Sequence, residues 1–280
     1  TLHENLCRSG PENELERISR TLTKQIFLVP NRGGLPPLSD YGYLEETNGK
    51  KVTSGYTEAS RGCKHLCRHC PVVPVYDGRF FVVPRDVVIE DIRQQVASGA
   101  EHITFGDPDF FNGVGHALKI VTAFNDEFPE LSYDVTIKIE HILKYVRQLP
   151  LLSETGCLFV TSAVEAVDDQ ILGLLGKGHS RIDFVHSVEL IRKAGLTLAP
   201  TFVPFTPWTG MQGYLKLLQD IVALDLVENV APIQLAIRLL VPRGSGLIQI
   251  LRDQGRLGTF DEEALCYRWQ ADDPLSLIHI

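Results

Sequence analysis

Short apolar runs alternate with longer amphipathic stretches from about residue 52 onward, and this alternation constrains the fold more than any other feature. The apolar runs are typical of β-strands, whereas apolar residues spaced three and four positions apart are typical of α-helices. In the stretch after Pro84, for example, Val88, Ile92 and Val96 fall on one helical face. The predicted strands lie near residues 54–60, 102–106, 132–139, 157–163, 197–203 and 232–240. The predicted helices lie near residues 86–98, 114–127, 141–154, 168–175, 182–194 and 212–224.

Strand–helix units in series predict a parallel sheet, because parallel neighbours need a crossover connection, which is almost always right-handed. The predicted fold class is α/β: an incomplete (β/α)6-type parallel barrel with an N-terminal extension and a short C-terminal segment. We expect the extension at residues 1–50, the core barrel at residues 51–245 and the C-terminal segment, truncated relative to the natural chain, at residues 246–280. Functional groups on such a fold lie at the carboxyl-terminal ends of the strands.

Charge and hydropathy exclude two classes of function. Acidic residues outnumber basic ones by 35 to 27, and the formal net charge of −8 argues against a broad nucleic-acid surface. No apolar run reaches the ~20 residues that cross a membrane, and the N-terminus lacks the pattern of a signal peptide. We therefore expect a cytoplasmic protein without a membrane partner.

Three of the six cysteines crowd into eight residues, at Cys63, Cys67 and Cys70. This spacing, Cys-x3-Cys-x2-Cys, directly follows the first predicted strand, which places the thiols at the catalytic face of the predicted barrel. Three thiolates in one loop can bind three corners of a 4Fe–4S cubane and leave the fourth iron open for another ligand. An open coordination position is what separates a reactive metal centre from a purely structural one.

The same residues also permit other metal centres. His65 and His69 could complete a tetrahedral zinc site, which would make the chain a zinc-stabilised binding module. An iron–sulfur electron carrier is a further alternative, with Cys157 or Cys266 as the fourth ligand, and a surface cluster of redox-active thiols is another. Zinc sites usually carry a second pair of ligands further along the chain, and no second pair is present. The spacing therefore favours iron and sulfur over zinc.

The cysteine motif resembles that of the radical S-adenosylmethionine superfamily, in which the first barrel loop carries Cys-x3-Cys-x-aromatic-Cys. His69 occupies the aromatic position, where an imidazole can lie against adenine. The resemblance extends over about residues 52–245. Residues 70–79, 105–113 and 201–208 are similar to the radical proteins that end in a Cys-Sec-Ala-Glu-Pro or Cys-Cys-Ala-Glu-Pro tail, which is absent here.

This resemblance implies two cofactors, a 4Fe–4S cluster on Cys63, Cys67 and Cys70 and S-adenosylmethionine on the open iron. It implies that one electron, supplied by a reductant protein such as a flavodoxin or ferredoxin, cleaves the sulfonium. The 5′-deoxyadenosyl radical then abstracts a hydrogen atom from an unknown substrate, a small molecule or a peptide. The cofactors carry the chemistry, and the protein positions and shields it.

Two acidic residues match cofactor-binding positions of the superfamily. Asp107 follows the second predicted strand, where the superfamily has an acidic motif that accepts a hydrogen bond from the methionine amine; the alternative is a capped turn. Glu165 lies in a segment similar to Gly-Val-Glu-Ser, with Ala163 and Ala166 at the Gly and Ser positions. The resemblance implies that Glu165 contacts the ribose hydroxyls, and the alternative is an ordinary acid near a helix start.

Two further charged residues are expected at the barrel mouth. Glu140 ends the third predicted strand, where it contacts cofactor or substrate, or else stabilises a helix N-terminus. Arg238 interrupts an apolar predicted strand and, if buried, needs a partner. The methionine carboxylate suits a guanidinium because it can pair bidentately, and a structural pair with Asp107 or Glu165 is the alternative.

Overall fold

A six-stranded sheet lies at the centre of the computed structural model, which describes residues 25–45 and 49–273. The strands are β1 (Tyr43–Glu45), β2 (Lys51–Thr57), β3 (Ser60–Gly62), β4 (Phe80–Val82), β5 (His102–Phe105), β6 (Ser132–Thr136), β7 (Cys157–Glu165), β8 (Thr197–Phe202), β9 (Leu257–Asp261) and β10 (Cys266–Trp269). The order in the central sheet is β1-β2-β5-β6-β7-β8, and all pairs are parallel except β1 with β2. The predicted α/β fold class, an incomplete parallel barrel, is confirmed.

Helices follow the strands as the crossover rule requires. They are α1 (Val73–Tyr76), α2 (Arg85–Ala97), α3 (Val114–Glu127), α4 (Ile139–Lys144), α5 (Leu149–Glu154), α6 (Asp169–Leu175), α7 (Arg181–Lys193), α8 (Met211–Ala223) and α9 (Ile248–Asp253). Short 3-10 helices lie at Leu38–Asp40, Phe110–Gly113, Val146–Gln148, Val227–Asn229 and Pro232–Leu235. Local sequence fixes several starts: Asp168 caps α6, and Ser180 with Asp183 forms a capping box on α7. None of these helices is long and apolar enough to cross a bilayer.

The predicted strand near residues 232–240 is wrong. Pro232 begins a 3-10 helix there, and the segment adds only one bridge to the sheet edge, where Arg238 pairs with Phe205. Proline lacks the N–H that a strand needs for its ladder, and it prefers the first turn of a helix. The sixth strand of the sheet is instead β1, which lies inside the predicted extension and pairs antiparallel with the edge of β2.

Two apolar clusters hold the elements together. The larger one fills the space between the sheet and helices α2 to α5, α7 and α8, with Phe105, Phe124, Tyr133 and Phe202 almost fully buried. The smaller one joins α6 to the C-terminal elements; its buried members include Leu172, Leu175, Leu247, Leu251 and Trp269. Residues 246–273 thus supply a helix and a hairpin that cover α6, while the predicted domain boundaries at residues 50 and 245 stay a prediction.

An N-terminal segment also fastens the outer edge of the sheet. Arg32 makes a bidentate ion pair with Asp91 of α2, at 2.6 and 2.8 Å, and donates to the carbonyl of Tyr56 in β2. The fully buried amide of Gln95 bonds to both the N–H and the carbonyl of Tyr56. These contacts satisfy the backbone of β2 on its outward side, as a sheet edge requires.

Candidate functional site

The three cysteines lie in one loop between β3 and α1, at the carboxyl-terminal edge of the parallel sheet. The antiparallel pair of β3 and β4 closes the base of this loop. Gly62 starts it with φ of +87°, and a Cβ there would lie 2.5 Å from Cδ1 of Tyr76 and 2.6 Å from the carbonyl oxygen of Arg79. The loop path therefore depends on a residue without a side chain.

The thiols lie near enough to affect one another. Cys67 is buried, and Cys63 and Cys70 are half-buried. Burial raises the pKa of the Cys63 and Cys70 thiols, and repulsion from the neighbouring cysteines adds to that rise. A metal cation removes both penalties because it stabilises thiolates. The donor set therefore fits a metal centre, and Cys157 and Cys266 are buried in other elements, β7 and β10.

Arg68 fastens the cysteine loop to two distant parts of the chain. Its N–H and its guanidinium donate to the carbonyls of the last three residues of α6, at 2.8 to 3.0 Å. Its own carbonyl accepts from the Ser245 hydroxyl at 3.0 Å and from the Gly246 N–H at 2.9 Å. The loop is therefore held from both sides before any ligand binds.

Asp107 lies directly after β5, as predicted, and is 2% exposed. Its carboxylate accepts from the Ala59 N–H at 2.8 Å and the Ser60 hydroxyl at 2.6 Å. Burial raises the pKa of Asp107 to about 6. The carboxylate thereby fixes the turn that leads into the cysteine loop, and it keeps lone pairs for a further donor.

Glu165, the last residue of β7, contacts His69 of the cysteine loop. Nε2 of His69 lies 3.1 Å from Oε1 of Glu165, and the buried Lys177 donates to the same oxygen at 3.4 Å. Burial by itself would raise the pKa of Glu165, but His69 and Lys177 outweigh it and hold that pKa below its ordinary value. Glu165 also has φ of +70°, a strained conformation for a residue with a side chain, which is common at functional sites.

Glu140 does not end a strand, because β6 stops at Thr136 and Glu140 lies in the first turn of α4. Its carboxylate is 45% exposed and accepts from Lys138 at 3.1 Å. Lys138 is buried, and its Nζ also lies 3.3 Å from Nδ1 of His65. The barrel mouth therefore carries an acid and a buried cation side by side.

His65, which the sequence offers only as a possible zinc ligand, and His141, which it leaves without a role, meet at a buried acid. Oδ2 of Asp109 lies 3.0 Å from Nε2 of His65 and 2.6 Å from Nδ1 of His141. Asp109 is 1% exposed, and its other oxygen accepts from the Phe111 N–H at 3.1 Å. Burial would raise the pKa of Asp109, but the two imidazoles outweigh it and hold that pKa below its ordinary range.

Arg238 departs from its predicted environment. It is exposed, its guanidinium lies 4.3 Å from the ring centroid of Trp269, and it donates to the Trp269 carbonyl at 3.4 Å. The premise of a buried arginine is therefore wrong, and the structure pairs it with neither Asp107 nor Glu165. A contact between Arg238 and a methionine carboxylate stays a prediction.

Several buried polar atoms of the described residues have no hydrogen-bond partner. They are both ring nitrogens of His179, Nδ1 of His69, the hydroxyl of Ser162 in β7 and Nδ1 of His141, which lies 2.6 Å from Oδ2 of Asp109 without hydrogen-bond geometry. Burial, reinforced by Lys177 and Lys138, lowers the pKa of His179 to about 4, so its ring is neutral at pH 7. Buried polar atoms normally find partners, so these atoms fit a site that receives a polar ligand.

The sequence alone does not single out Asp109, His141, Lys177 or His179, and it offers His65 only as a zinc ligand. The available signal was position, because Asp109 and His141 each follow a strand of the parallel sheet closely. Single histidines on predicted helices are too common to single out without the sheet order. The cysteines, His69, Glu165 and Asp107 are predicted site residues because motif spacing, and not only position, marks them, and their roles stay a prediction.

Sequence comparison identifies relatives over the same region. The family described as the Radical SAM superfamily matches residues 57–209, more than half of the chain. A tRNA-2-methylthio-N(6)-dimethylallyladenosine synthase of Bacillus pumilus (strain SAFR-032) is 24% identical over 200 residues, 64% of this chain and 36% of that protein. The enzyme of the same name from Bacillus subtilis (strain 168) is 22% identical over 200 residues. The chain thus spans about a third of the length of these curated relatives.

Solved structures share the fold. The cobalamin-dependent S-adenosylmethionine radical enzyme OxsB with aqua-cobalamin bound gives a TM-score of 0.63 at 14% identity, covering 78% of this chain and 39% of that one. The radical S-adenosylmethionine methyltransferase TsrM from Kitasatospora setae gives 0.62 at 16% identity, covering 78% and 48%. At such identities the likeness concerns the fold alone, so membership rests on the family match and on the cysteine motif inside it. The chain therefore belongs to the radical SAM superfamily, whose members use a 4Fe–4S cluster together with S-adenosylmethionine.

Proposed function

We propose that Cys63, Cys67 and Cys70 of this chain hold a 4Fe–4S cluster whose fourth iron binds S-adenosylmethionine. When bound, these cofactors supply one-electron cleavage of the sulfonium and a 5′-deoxyadenosyl radical that abstracts hydrogen from the substrate. The observation that carries the proposal is the grouping of three cysteines in a single loop at the carboxyl-terminal sheet edge. Cys157 is the first residue of β7, at the opposite edge, which argues against a fourth cysteine ligand from that strand.

The residues around the loop have distinct proposed roles toward S-adenosylmethionine. Glu165 accepts from the ribose hydroxyls, since His69 and Lys177 keep it ionised. His69 lies against adenine, and Asp107 accepts from the methionine amine with its remaining lone pairs. For the methionine carboxylate we favour Lys177 over Arg238, because Lys177 is 3% exposed beside Glu165 whereas Arg238 lies outside on Trp269.

The mouth residues shape the substrate side of the proposed site. Lys138 presents a buried ammonium and Glu140 a half-exposed carboxylate, 3.1 Å apart, so a zwitterionic or polar group would find both charges. Neutral His179 offers one donor and one acceptor, and it lies near enough to Lys138 for that ammonium to lower its pKa. These groups suit a small molecule or a peptide that carries its own polar groups into the barrel.

The proposed partners are inferred from the net charge of the chain and from the redox state of its cysteines. The relatives named above modify tRNA, but the net charge of −8 argues against a broad nucleic-acid surface in this chain. We infer a reductant protein of the flavodoxin or ferredoxin class and a reducing, cytoplasmic setting, because the described cysteines are all free thiols.

Anaerobic reconstitution with iron and sulfide tests the proposal. We expect about four iron and four sulfide per chain, broad absorbance near 400 nm typical of thiolate-bound clusters, and 5′-deoxyadenosine when dithionite and S-adenosylmethionine are added. Cys67→Ala should lose both the cluster and the product, whereas Cys157→Ala should keep them. One tightly bound zinc per chain, with no 5′-deoxyadenosine under these conditions, would refute the proposal in favour of a zinc-stabilised module.

A further inference from the structure

Asp109 places a negative charge beside the cysteine loop. Its backbone carbonyl accepts from the N–H of Asn112 at 3.0 Å, so the two residues belong to one tight turn. Oδ1 of Asn112 accepts from the Lys64 N–H at 3.2 Å and lies 3.8 Å from the thiol of Cys63. The turn that carries the Asp109 carboxylate therefore touches the first cysteine of the motif directly.

Two imidazoles compensate this charge from different elements. His65 comes from the cysteine loop itself, and His141 comes from the first turns of α4. The two rings lie 4.7 Å apart between centroids, with the carboxylate oxygen between their nitrogens. Lys138 lies against the far nitrogen of His65 at 3.3 Å, and donation from that ammonium would leave the hydrogen of His65 on the nitrogen facing Asp109.

A divalent cation is the rival occupant of this set, since the three ligand atoms lie within 4.8 Å of one another. The distances favour direct contact between the carboxylate and the rings. A metal with bonds of about 2.1 Å would hold its ligands about 3 Å or more apart, whereas Oδ2 of Asp109 is 2.6 Å from His141. The ammonium of Lys138 beside His65 further disfavours a second cation.

We propose that the His65–Asp109–His141 set controls how readily the cluster accepts its electron, with His141 as a positioning residue that acts through Asp109. This inference rests on the proposed function. A negative charge close to a cluster disfavours reduction, because reduction adds another negative charge. The hydrogen bond from His65 and the electrostatic contact with His141, 2.6 Å from the same oxygen, offset part of that charge. The set therefore disfavours reduction less than a bare carboxylate would and more than a neutral side chain would.

The proposal predicts effects of opposite sign from two neighbouring substitutions. Asp109→Asn removes the charge at nearly constant shape and should make reduction easier. His141→Ala leaves the carboxylate under-compensated and should make reduction harder. A purely structural role would loosen the loop in both variants and shift them in the same direction. His141→Asn, whose amide nitrogen takes the place of Nδ1 and can donate to Asp109, should fall near the wild type.

An anaerobic redox titration of the reconstituted proteins, followed by absorbance and electron paramagnetic resonance at fixed pH, measures these effects without turnover. We expect each of the two variants to change the reduced-to-oxidised ratio at a fixed potential about tenfold, which is ~59 mV for one electron. His102→Ala is the matched control, because His102 forms another buried pair with Asp134, at 2.9 Å, at the amino-terminal start of β5. It should lower stability and leave the midpoint unchanged.

The outcomes separate the two proposals. A wild-type chain that binds no cluster would refute the proposed function. Midpoints that stay unchanged in cluster-loaded Asp109→Asn, or that move the same way in both variants, would refute only the charge control. One equivalent of zinc, present in the wild type and lost in His141→Ala while iron is retained, would assign the set to a second metal and also overturn the inference.

Discussion

Gly62 is the residue on which the path of the cysteine loop depends most. Its φ of +87° lies in the left-handed region, and the side chain of Tyr76 and the backbone of Arg79 occupy the place where a Cβ would be. Gly99 also has a positive φ, +93°, but nothing lies within 4 Å of the corresponding position. A comparison of substitutions at the two glycines therefore distinguishes the cost of backbone strain from the cost of steric overlap.

Replacing each glycine by alanine should give unequal losses. Gly99→Ala carries only the backbone penalty, about 1 kcal/mol of unfolding free energy. Gly62→Ala adds an overlap that must move the loop, which brings the expected loss to about 2–4 kcal/mol. Chemical denaturation of the two apo variants measures this difference, and iron uptake should fall in Gly62→Ala alone. Equal losses would show that the overlap relaxes without cost.

Asp107 should make stability depend on pH in an unusual direction. Burial raises its pKa to about 6 in the folded chain, against an ordinary value of 3.8. The folded state therefore holds more protons than the unfolded state between pH 4 and 6, and its stability falls as pH rises through that window.

Asp107→Asn lacks this titration, so the two proteins should diverge across the same window. We expect the unfolding free energy of the wild type, relative to Asp107→Asn, to fall by on the order of 2–3 kcal/mol from pH 4 to pH 7. Urea denaturation of the apo proteins at several pH values measures it. Asp86→Asn, at a side chain that is 89% exposed, should show no such divergence from the wild type. A relative stability that rises with pH would contradict the assignment.

At the scale of elements, α6 connects the site to the rest of the molecule. Its N-terminus is capped by Asp168, whose carboxylate accepts from the N–H groups of Gln170 and Ile171. Its C-terminus gives its last carbonyls to Arg68 of the cysteine loop. Unsatisfied carbonyls at a helix end attract a cation, so the helix and the loop stabilise each other.

Substitutions at the two ends of α6 should therefore have different consequences. Arg68→Ala removes the guanidinium and should release iron to a chelator several-fold faster than the wild type, with a stability loss of about 1–3 kcal/mol. Asp168→Ala removes the N-terminal cap and should cost about 1 kcal/mol without changing iron release. Time courses of chelation at equal protein concentration provide the comparison. Equal release rates in the two variants would mean that overall stability alone retains the cluster.

How far sequence predicts this fold depends on whether an element's pattern is local. The helix near residues 114–127 was predicted with its observed bounds, Val114–Glu127, because its apolar spacing is complete within the segment. The segment near residues 232–240 was mistaken for a strand because its run of apolar residues looks buried. Ile233 is 66% exposed and Leu240 is 63% exposed, and only packing could have revealed that.

The candidate site likewise contains residues that a local motif predicts and residues that only the fold brings together. The cysteines and Glu165 are predicted from their spacing in motifs, a signal local to the sequence. The pairing of Asp109 with His65 and His141 joins three segments that lie apart in the sequence, so it emerges only from the order β5-β6 in the sheet. Arg238 was misjudged because the stacking partner, Trp269, comes from a C-terminal hairpin whose packing the sequence did not indicate.

On the scale of the whole molecule, the C-terminal hairpin completes the second apolar cluster. Trp269 is 5% exposed, packs in the same cluster as α6, and donates from its indole to the Leu239 carbonyl at 2.8 Å. The ring also supports the Arg238 guanidinium from one face. One side chain thus ties the hairpin to the last segment of the barrel.

Trp269→Ala should be among the most destabilising single substitutions in the described part of the chain, by about 3–5 kcal/mol. Trp269→Phe keeps most of the packing and loses the hydrogen bond, so it should cost about 1–2 kcal/mol. Calorimetry of the apo proteins measures both losses. A small loss in Trp269→Ala would mean that the hairpin contributes little to the barrel.

The double attachment of Arg68 has a consequence for how the protein is made. Its carbonyl is held by Ser245, 177 positions later, so the loop reaches its final shape only when nearly all of the barrel has left the ribosome. At about 5–20 residues per second, translation of that interval takes roughly 10–35 s. During this time the three thiols have emerged but lack their neighbours, and they are open to oxygen and to stray metals. Cofactor insertion into the completed loop is therefore expected to follow synthesis of the barrel.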